Sequence, residues 1–187
     1  MADRYNPAER QLLLAIARAS IDHGLKSGTA LLPDLGGLPE KFCEPGASFV
    51  TLETHGQLRG CIGRLEASRP LATDIAANAY AAAFEDPRFP PLQERETPNL
   101  ELHLSILSPA QPMRFRDQND LIAQLRPGID GLILEEGYHR GTFLPSVWDS
   151  LPSPGEFLRH LKRKAGLAPD YWSDSLRVFR YVTESFS

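Results

Sequence analysis

Two runs of alternating residues joined by a short polar turn restrict the folding of this chain more than any other feature. From Ser48 to Leu65, "SFVTLETHGQLRGCIGRL" sets Phe49, Thr51 and Glu53 on one side and Val50 and Leu52 on the other, turns near His55-Gly56, and returns through Leu58 to Gly63. A period of two is a strand's period, and so short a turn can join only antiparallel strands. "NLELHLSILS" repeats the pattern, with Leu100, Leu102, Leu104 and Ile106 on one face and Glu101, His103 and Ser105 on the other. These segments predict an antiparallel sheet with one covered face and one polar face.

Helix signals are interspersed with the strands. Asn6-Pro7-Ala8-Glu9 predicts a capped start, with Leu13, Ile16, Ala17 and Ile21 at helical spacing up to a stop at Gly24. Residues 26–46, rich in Gly and Pro and containing Cys43, read as an extended surface connection. Ser68 and Pro70 signal a second helix whose stripe is Leu71, Ile75, Asn78, Ala79 and Ala82, ended by Asp86-Pro87. A short helix over about 119–125, a hairpin turning at Glu136-Gly137, and a helix capped by Ser153-Pro154-Gly155-Glu156 follow. In that last helix Phe157, Leu158, Leu161 and Ala165 form the buried side, while Arg159, Lys162, Arg163 and Lys164 form a solvated one. "SLRVFRYVTESF" closes the chain as one strand. Intermixed helices and hairpin-joined strands predict an α+β fold in which antiparallel sheet is flanked by helices.

Length and charge limit the function. The 187 residues, 42% of them hydrophobic, suffice for one domain or two small lobes. A net charge of −4 supplies no basic field for nucleic acid, so RNA binding is a weak reading. The start of the chain has no leader pattern, and no apolar run reaches the ~18 residues of a membrane span, so a cytoplasmic protein is expected. Cys43 and Cys61 form no Cys-x-x-Cys pair and read as reduced thiols. The five histidines are scattered, so their spacing predicts no metal site, and no cofactor is implied.

The candidate chemistry gathers around "LRGCIG". Alternation puts Leu58 and Ile62 on one side and Arg59 and Cys61 on the other, about 7 Å apart at Cα. An arginine there favours a thiolate, and Gly60 and Gly63 suit a bulge or the approach of a ligand. A small buried thiol packed under the alanine-rich helix explains the same residues. In "EDPRFPPL", Asp86 and Arg88 form either a binding edge or a pair that holds the turn. His103, with Ser105, is a candidate base on the polar face, or a solvated histidine. Asn78 on its apolar stripe needs a partner, either backbone or substrate.

Together with "FVTL", "AAAFEDPRFPPL", "LHLSILSP", "RPGIDGLIL", "GTFLPSVW" and "FLRHLKRKAGL", the order of these motifs resembles the AMMECR-type family, also called AmmeMemoRadiSam system protein A. The resemblance runs from about Tyr5 to the last residues. It implies two interleaved lobes of one domain with the motifs near a cleft between them, and action beside a Memo-like protein and a radical S-adenosylmethionine protein on an unknown substrate. The positions it marks are Arg59, Gly60, Cys61 and Gly63, then Asp86, Arg88 and Phe89, then Leu144 and Pro145. Lys162 is a departure, since many relatives carry cysteine there, and a scheme needing a second thiol would not apply. In the enzyme reading Cys61 is nucleophile or thiol acceptor, Arg59 stabilises it or binds an anionic substrate, and Asp86 or His103 moves protons. Gly60, Gly63, Asn78, Arg88, Phe89, Leu144 and Pro145 would bind substrate. In the alternative, the chain is a non-catalytic module that binds a small molecule or partner, and Cys61 is structural.

Overall fold

The computed structural model describes residues 4–187. In chain order these form α1 (Pro7–Ser27), α2 (Glu40–Cys43), β1 (Pro45–Gly46), β2 (Ser48–Thr54), β3 (Gln57–Gly63), β4 (Arg69–Pro70), α3 (Leu71–Phe84) and β5 (Leu100–Leu107). They continue with β6 (Gln111–Pro112), α4 (Gln118–Gln124), β7 (Gly131–Glu136), β8 (His139–Phe143), α5 (Pro154–Lys164), β9 (Arg177–Tyr181) and β10 (Thr183–Phe186). The α+β class expected from the sequence is observed, with antiparallel pairing of β1 with β4, β2 with β3 and β5, β6 with β9, and β7 with β8 and β9. The chain divides into two compact units: residues up to Leu107 with Glu184–Ser187, and Ser108–Thr183.

The first unit is built on a sheet of order β10-β5-β2-β3. Val50, Leu52, Leu102, Leu104 and Ile106 cover one face and meet Leu13, Ala17 and Ile21 of α1 and the alanines of α3 in one core. Alanine keeps the α3 surface shallow, so sheet and helix approach closely. Asn6 caps α1, with Glu9 reaching back in a full capping box. The helix does not stop at Gly24; it runs to Ser27 and ends on Gly28 at φ 69°. Gly24 is instead a contact point, because a Cβ there would lie 2.5 Å from the Phe84 ring and 2.8 Å from that of Tyr80. Two other starts differ from expectation: α3 begins at Leu71, with Pro70 just outside it, and the predicted surface connection holds α2 with Cys43 in it.

The second unit carries a sheet of order β6-β9-β7-β8. Leu121, Leu132, Leu134, Trp148, Phe157, Leu158, Leu161 and Val178 form its core. Trp148 stacks on Phe157 at 3.8 Å between ring centres and donates its indole N–H to the Asp130 carbonyl. The predicted capping box of α5 is absent, since the Ser153 side chain makes no cap bond. Lys162 is not solvated. It is fully buried, donates to Gln118 Oε1 and lies 5.5 Å from the Trp172 ring centre, because its position turns inward beside Leu161. The predicted last strand is two strands in different sheets, with a break at Val182, whose N–H and carbonyl bond Ser108. No described helix is long and apolar enough to cross a membrane.

Candidate functional site

The "LRGCIG" residues form β3, the edge strand of the first unit's sheet. Its register with β2 shifts between Leu52 and Glu53, so Leu52 pairs with Gly60 but Glu53 with Leu58, leaving Arg59 as the extra, bulged residue. The bulge corrects strict alternation. Leu58 leaves the side of Ile62 and is 44% exposed, whereas Ile62 packs on the core. Gly60 faces α3 so closely that a Cβ would stand 2.1 Å from the Ala82 carbonyl oxygen. Packing against helix backbone, rather than room for a ligand, accounts for this glycine.

Cys61 pairs with Thr51. On its outer side its N–H donates to Asp86 Oδ2 at 2.9 Å and its carbonyl accepts from Arg88 Nη2 at 3.2 Å. Those are backbone groups a free edge leaves unpaired, and one Asp-Pro-Arg turn satisfies both. Arg88 also grips Asp86 with Nε at 2.9 Å and Nη2 at 2.7 Å. Asp86 is 4% exposed. The Arg88 guanidinium first, and the Cys61 amide after it, hold the carboxyl well below the usual carboxylate range against the upward push of burial. That pairing favours the ionised carboxylate.

Arg59 is committed elsewhere. Nε donates to Glu96 Oε1 at 2.7 Å, and Nη2 to Glu96 Oε2 at 3.1 Å and to the Pro90 carbonyl at 2.9 Å. The pair lowers the Glu96 carboxyl below its ordinary value. The Phe89 ring lies under both guanidinium groups, 6.0 Å from Arg59 and 5.5 Å from Arg88. The Cys61 thiol meets Thr51 Oγ1 at 3.3 Å. His103 is the register partner of Thr51 on β5, so β2 stands between the thiol and the imidazole. Strand spacing alone separates their backbones by about 10 Å. Its near neighbour is Glu53, at 3.6 Å from Nε2.

Asn78 lies in a buried network. It donates to the Ser48 carbonyl at 3.0 Å and Asp74 Oδ2 at 2.9 Å, and accepts from Arg69 at 3.3 Å. Asp74 also takes the Ser48 N–H and hydroxyl and Arg69 Nε. A cavity of about 570 Å³ opens beside this network, lined by Ile62, Gly63, Arg64, Asn78, Tyr80 and Glu85 among others. At Gly63 a Cβ would stand 2.3 Å from the Phe49 ring. Leu144 and Pro145 begin a 3-10 turn in the second unit, Pro145 buried.

The first unit thus joins Cys61, Asp86, Arg88 and Phe89 in one bonded group, with Gly60 and Arg59 beside it on β3, Gly60 against Ala82 and Arg59 bonded to Glu96 and Pro90. Sequence reasoning missed Thr51, Glu96, Ser48, Asp74 and Arg69. Thr51 was visible in the β2 alternation, and Glu96 in the Gln93-to-Glu96 spacing of a capping box, which the structure contains. Nothing local pairs Glu96 with Arg59.

The AMMECR1 family profile matches residues 14–186. A protein of Methanothermobacter thermautotrophicus is 38% identical, the match covering 98% of this chain and 97% of that one. A protein of Thermotoga maritima is also 38% identical, over 89% of this chain and 91% of that one. Among solved structures, "Uncharacterized Protein PH0010" from Pyrococcus horikoshii superposes with a TM-score of 0.79 at 32% identity, over 93% of this chain and 88% of that one.

Proposed function

Because the chain belongs to the AMMECR1 family, we propose that it is a binding component serving a Memo-like protein and a radical S-adenosylmethionine protein, in which Cys61 is structural. Its ligand is a small molecule held in the cavity beside Ile62 and Gly63. The observation that carries this reading is the pairing of the charged groups around the motif with one another: Arg59 with Glu96 through Nε and Nη2, and Asp86 with Arg88 and the Cys61 amide. A thiolate nucleophile needs a free cation or a base within reach; among the described residues the Cys61 sulfur has the Thr51 hydroxyl as its hydrogen-bond partner, and Arg88, the cation that interacts with it electrostatically, is already bound to Asp86. The cavity volume falls in the range of small-molecule sites, and Arg64 at its rim makes no side-chain bond or ion pair among the described residues.

Native mass spectrometry of the protein purified together with its two partners tests the reading. A non-covalent ligand should be retained by wild type and by Cys61→Ser alike, and be lost in Ala77→Phe, which fills the cavity from the half-buried side of α3. A covalent adduct on Cys61, or loss of ligand from folded Cys61→Ser, would overturn it in favour of thiol chemistry.

A further inference from the structure

The polar face of the first unit's sheet carries a cluster with no place in the proposed function. Glu53 on β2 and Glu101 on β5 are register partners, directly opposite across the antiparallel pair. Like charges so placed repel and destabilise a sheet. No lysine or arginine pairs with either carboxylate among the described residues, although arginines elsewhere on the chain are used freely for this purpose. His103, two residues along β5, projects onto the same face, and one donor atom from each of the three residues lies within 4.8 Å of the others. The His103 Nε2 atom is buried and has no hydrogen-bond partner. Its 3.6 Å distance to Glu53 Oε2 is too long for a hydrogen bond.

We propose that Glu53, Glu101 and His103 bind a divalent transition-metal ion of the zinc class. Two carboxylate oxygens and one imidazole nitrogen are an ordinary donor set for such ions. Ligands at about 2.1 Å in tetrahedral arrangement stand about 3.4 Å from one another, close to the His103–Glu53 separation. The remaining closure belongs to Glu101, whose side chain is exposed and free to turn. The cation removes the carboxylate repulsion and gives the unpartnered nitrogen its bond. Three protein ligands leave a coordination position for water or a small ligand. The site does not depend on Cys61 or on the ligand cavity, so it stands or falls apart from the proposed function.

The test is thermal unfolding and calorimetric titration of the chelator-treated full chain with zinc chloride, for wild type, Glu53→Gln, Glu101→Gln and His103→Gln. Zinc should bind wild type with one-to-one stoichiometry and raise its Tm. Each substitution should weaken binding at least tenfold, as loss of a ligand does. Without zinc the two glutamine variants at 53 and 101 should melt at or above the wild-type temperature, because they lose the repulsion, so weakened binding cannot be ascribed to misfolding. Wild-type zinc affinity in any of the three variants overturns the site. So does a wild type whose Tm ignores zinc, or a Glu53→Gln or Glu101→Gln protein less stable than wild type in its absence.

Discussion

Gly60→Ala tests whether the glycine of the "LRGCIG" motif exists for packing or for a ligand. The added methyl would stand 2.1 Å from the Ala82 carbonyl oxygen and 3.1 Å from its carbon. Ordinary contact lies near 3.4 Å, so β3 and α3 must separate by about 1.3 Å, and both sides of the contact are main chain with no side chain to swing aside. Overpacking of this kind costs about 1–3 kcal/mol, and the absence of any flexible neighbour puts Gly60 at the upper end. Against that, alanine stiffens the unfolded chain by about 0.4–1 kcal/mol, leaving a net loss of about 2 kcal/mol. With a urea dependence of about 2 kcal/mol per molar, the midpoint should fall by about 1 M. Gly37→Ala is the control. It has nothing within 4 Å of its Cβ and an unstrained backbone, so it should be neutral or stabilise by up to about 1 kcal/mol. Urea unfolding followed by circular dichroism reads both. A Gly60→Ala protein with the wild-type midpoint would refute the packing account and return the glycine to ligand approach.

Five further outcomes follow from other contacts in the structure. Asp86→Ala releases the Cys61 amide from its acceptor, so hydrogen exchange at that amide should accelerate well beyond the exchange of other β3 amides; unchanged protection would show that the edge is held otherwise. Because the Asp86 pKa is depressed on folding, its stabilisation is present above the ordinary carboxylate value and is lost as pH falls below it, so the wild-type advantage over Asp86→Ala should shrink below about pH 4. Asn78→Leu removes the amide's bonds to the Ser48 carbonyl and Asp74 Oδ2 and sets an apolar side chain against the buried Asp74 carboxylate, and should cost about 1–3 kcal/mol by chemical denaturation; a neutral effect would leave substrate contact as the reason for the amide. Burial pushes the Tyr181 phenol up to about 12, so its neutral form stabilises the fold below pH 10 and that stability is lost as pH rises towards 12, by up to about 1.4 kcal/mol per pH unit; Tyr181→Phe should flatten this alkaline limb. Desolvation lowers the Lys162 pKa, so Lys162→Met should raise Tm at pH 7, by about 1 kcal/mol of stability, and raise it less at pH 10, where the amine is closer to neutral in the unfolded chain as well.

The elements read correctly from the sequence are those whose signals are local. The Asn6 cap, the alternation of β2 and β5, the tight hairpin and the alanine stripe of α3 all depend on residues within a few positions of one another. Errors came where a local signal met a distant neighbour. Gly24 resembles a helix stop, yet the Tyr80 and Phe84 rings use it as a notch. Lys162 has a charged residue's sequence context, yet Gln118 and Trp172 enclose it. The final strand has unbroken strand composition, yet its two halves join different sheets, which composition does not encode.

The candidate site divides along the same line. Residue types and strand period were enough to put Arg59 and Cys61 forward, and to set Glu53 and His103 on polar strand faces. What each of them touches was decided by register and by a turn far away in sequence: Glu96 stands 37 residues from Arg59 and takes its charge, while Asp86, 25 residues from Cys61, takes its amide. One bulged residue at Arg59 re-aimed the motif, and the β2–β5 register alone brought Glu53 opposite Glu101 and beside His103. Periodicity determines which face a side chain takes, because that is a property of one strand. Partnership is a property of two, and only the tertiary structure holds both.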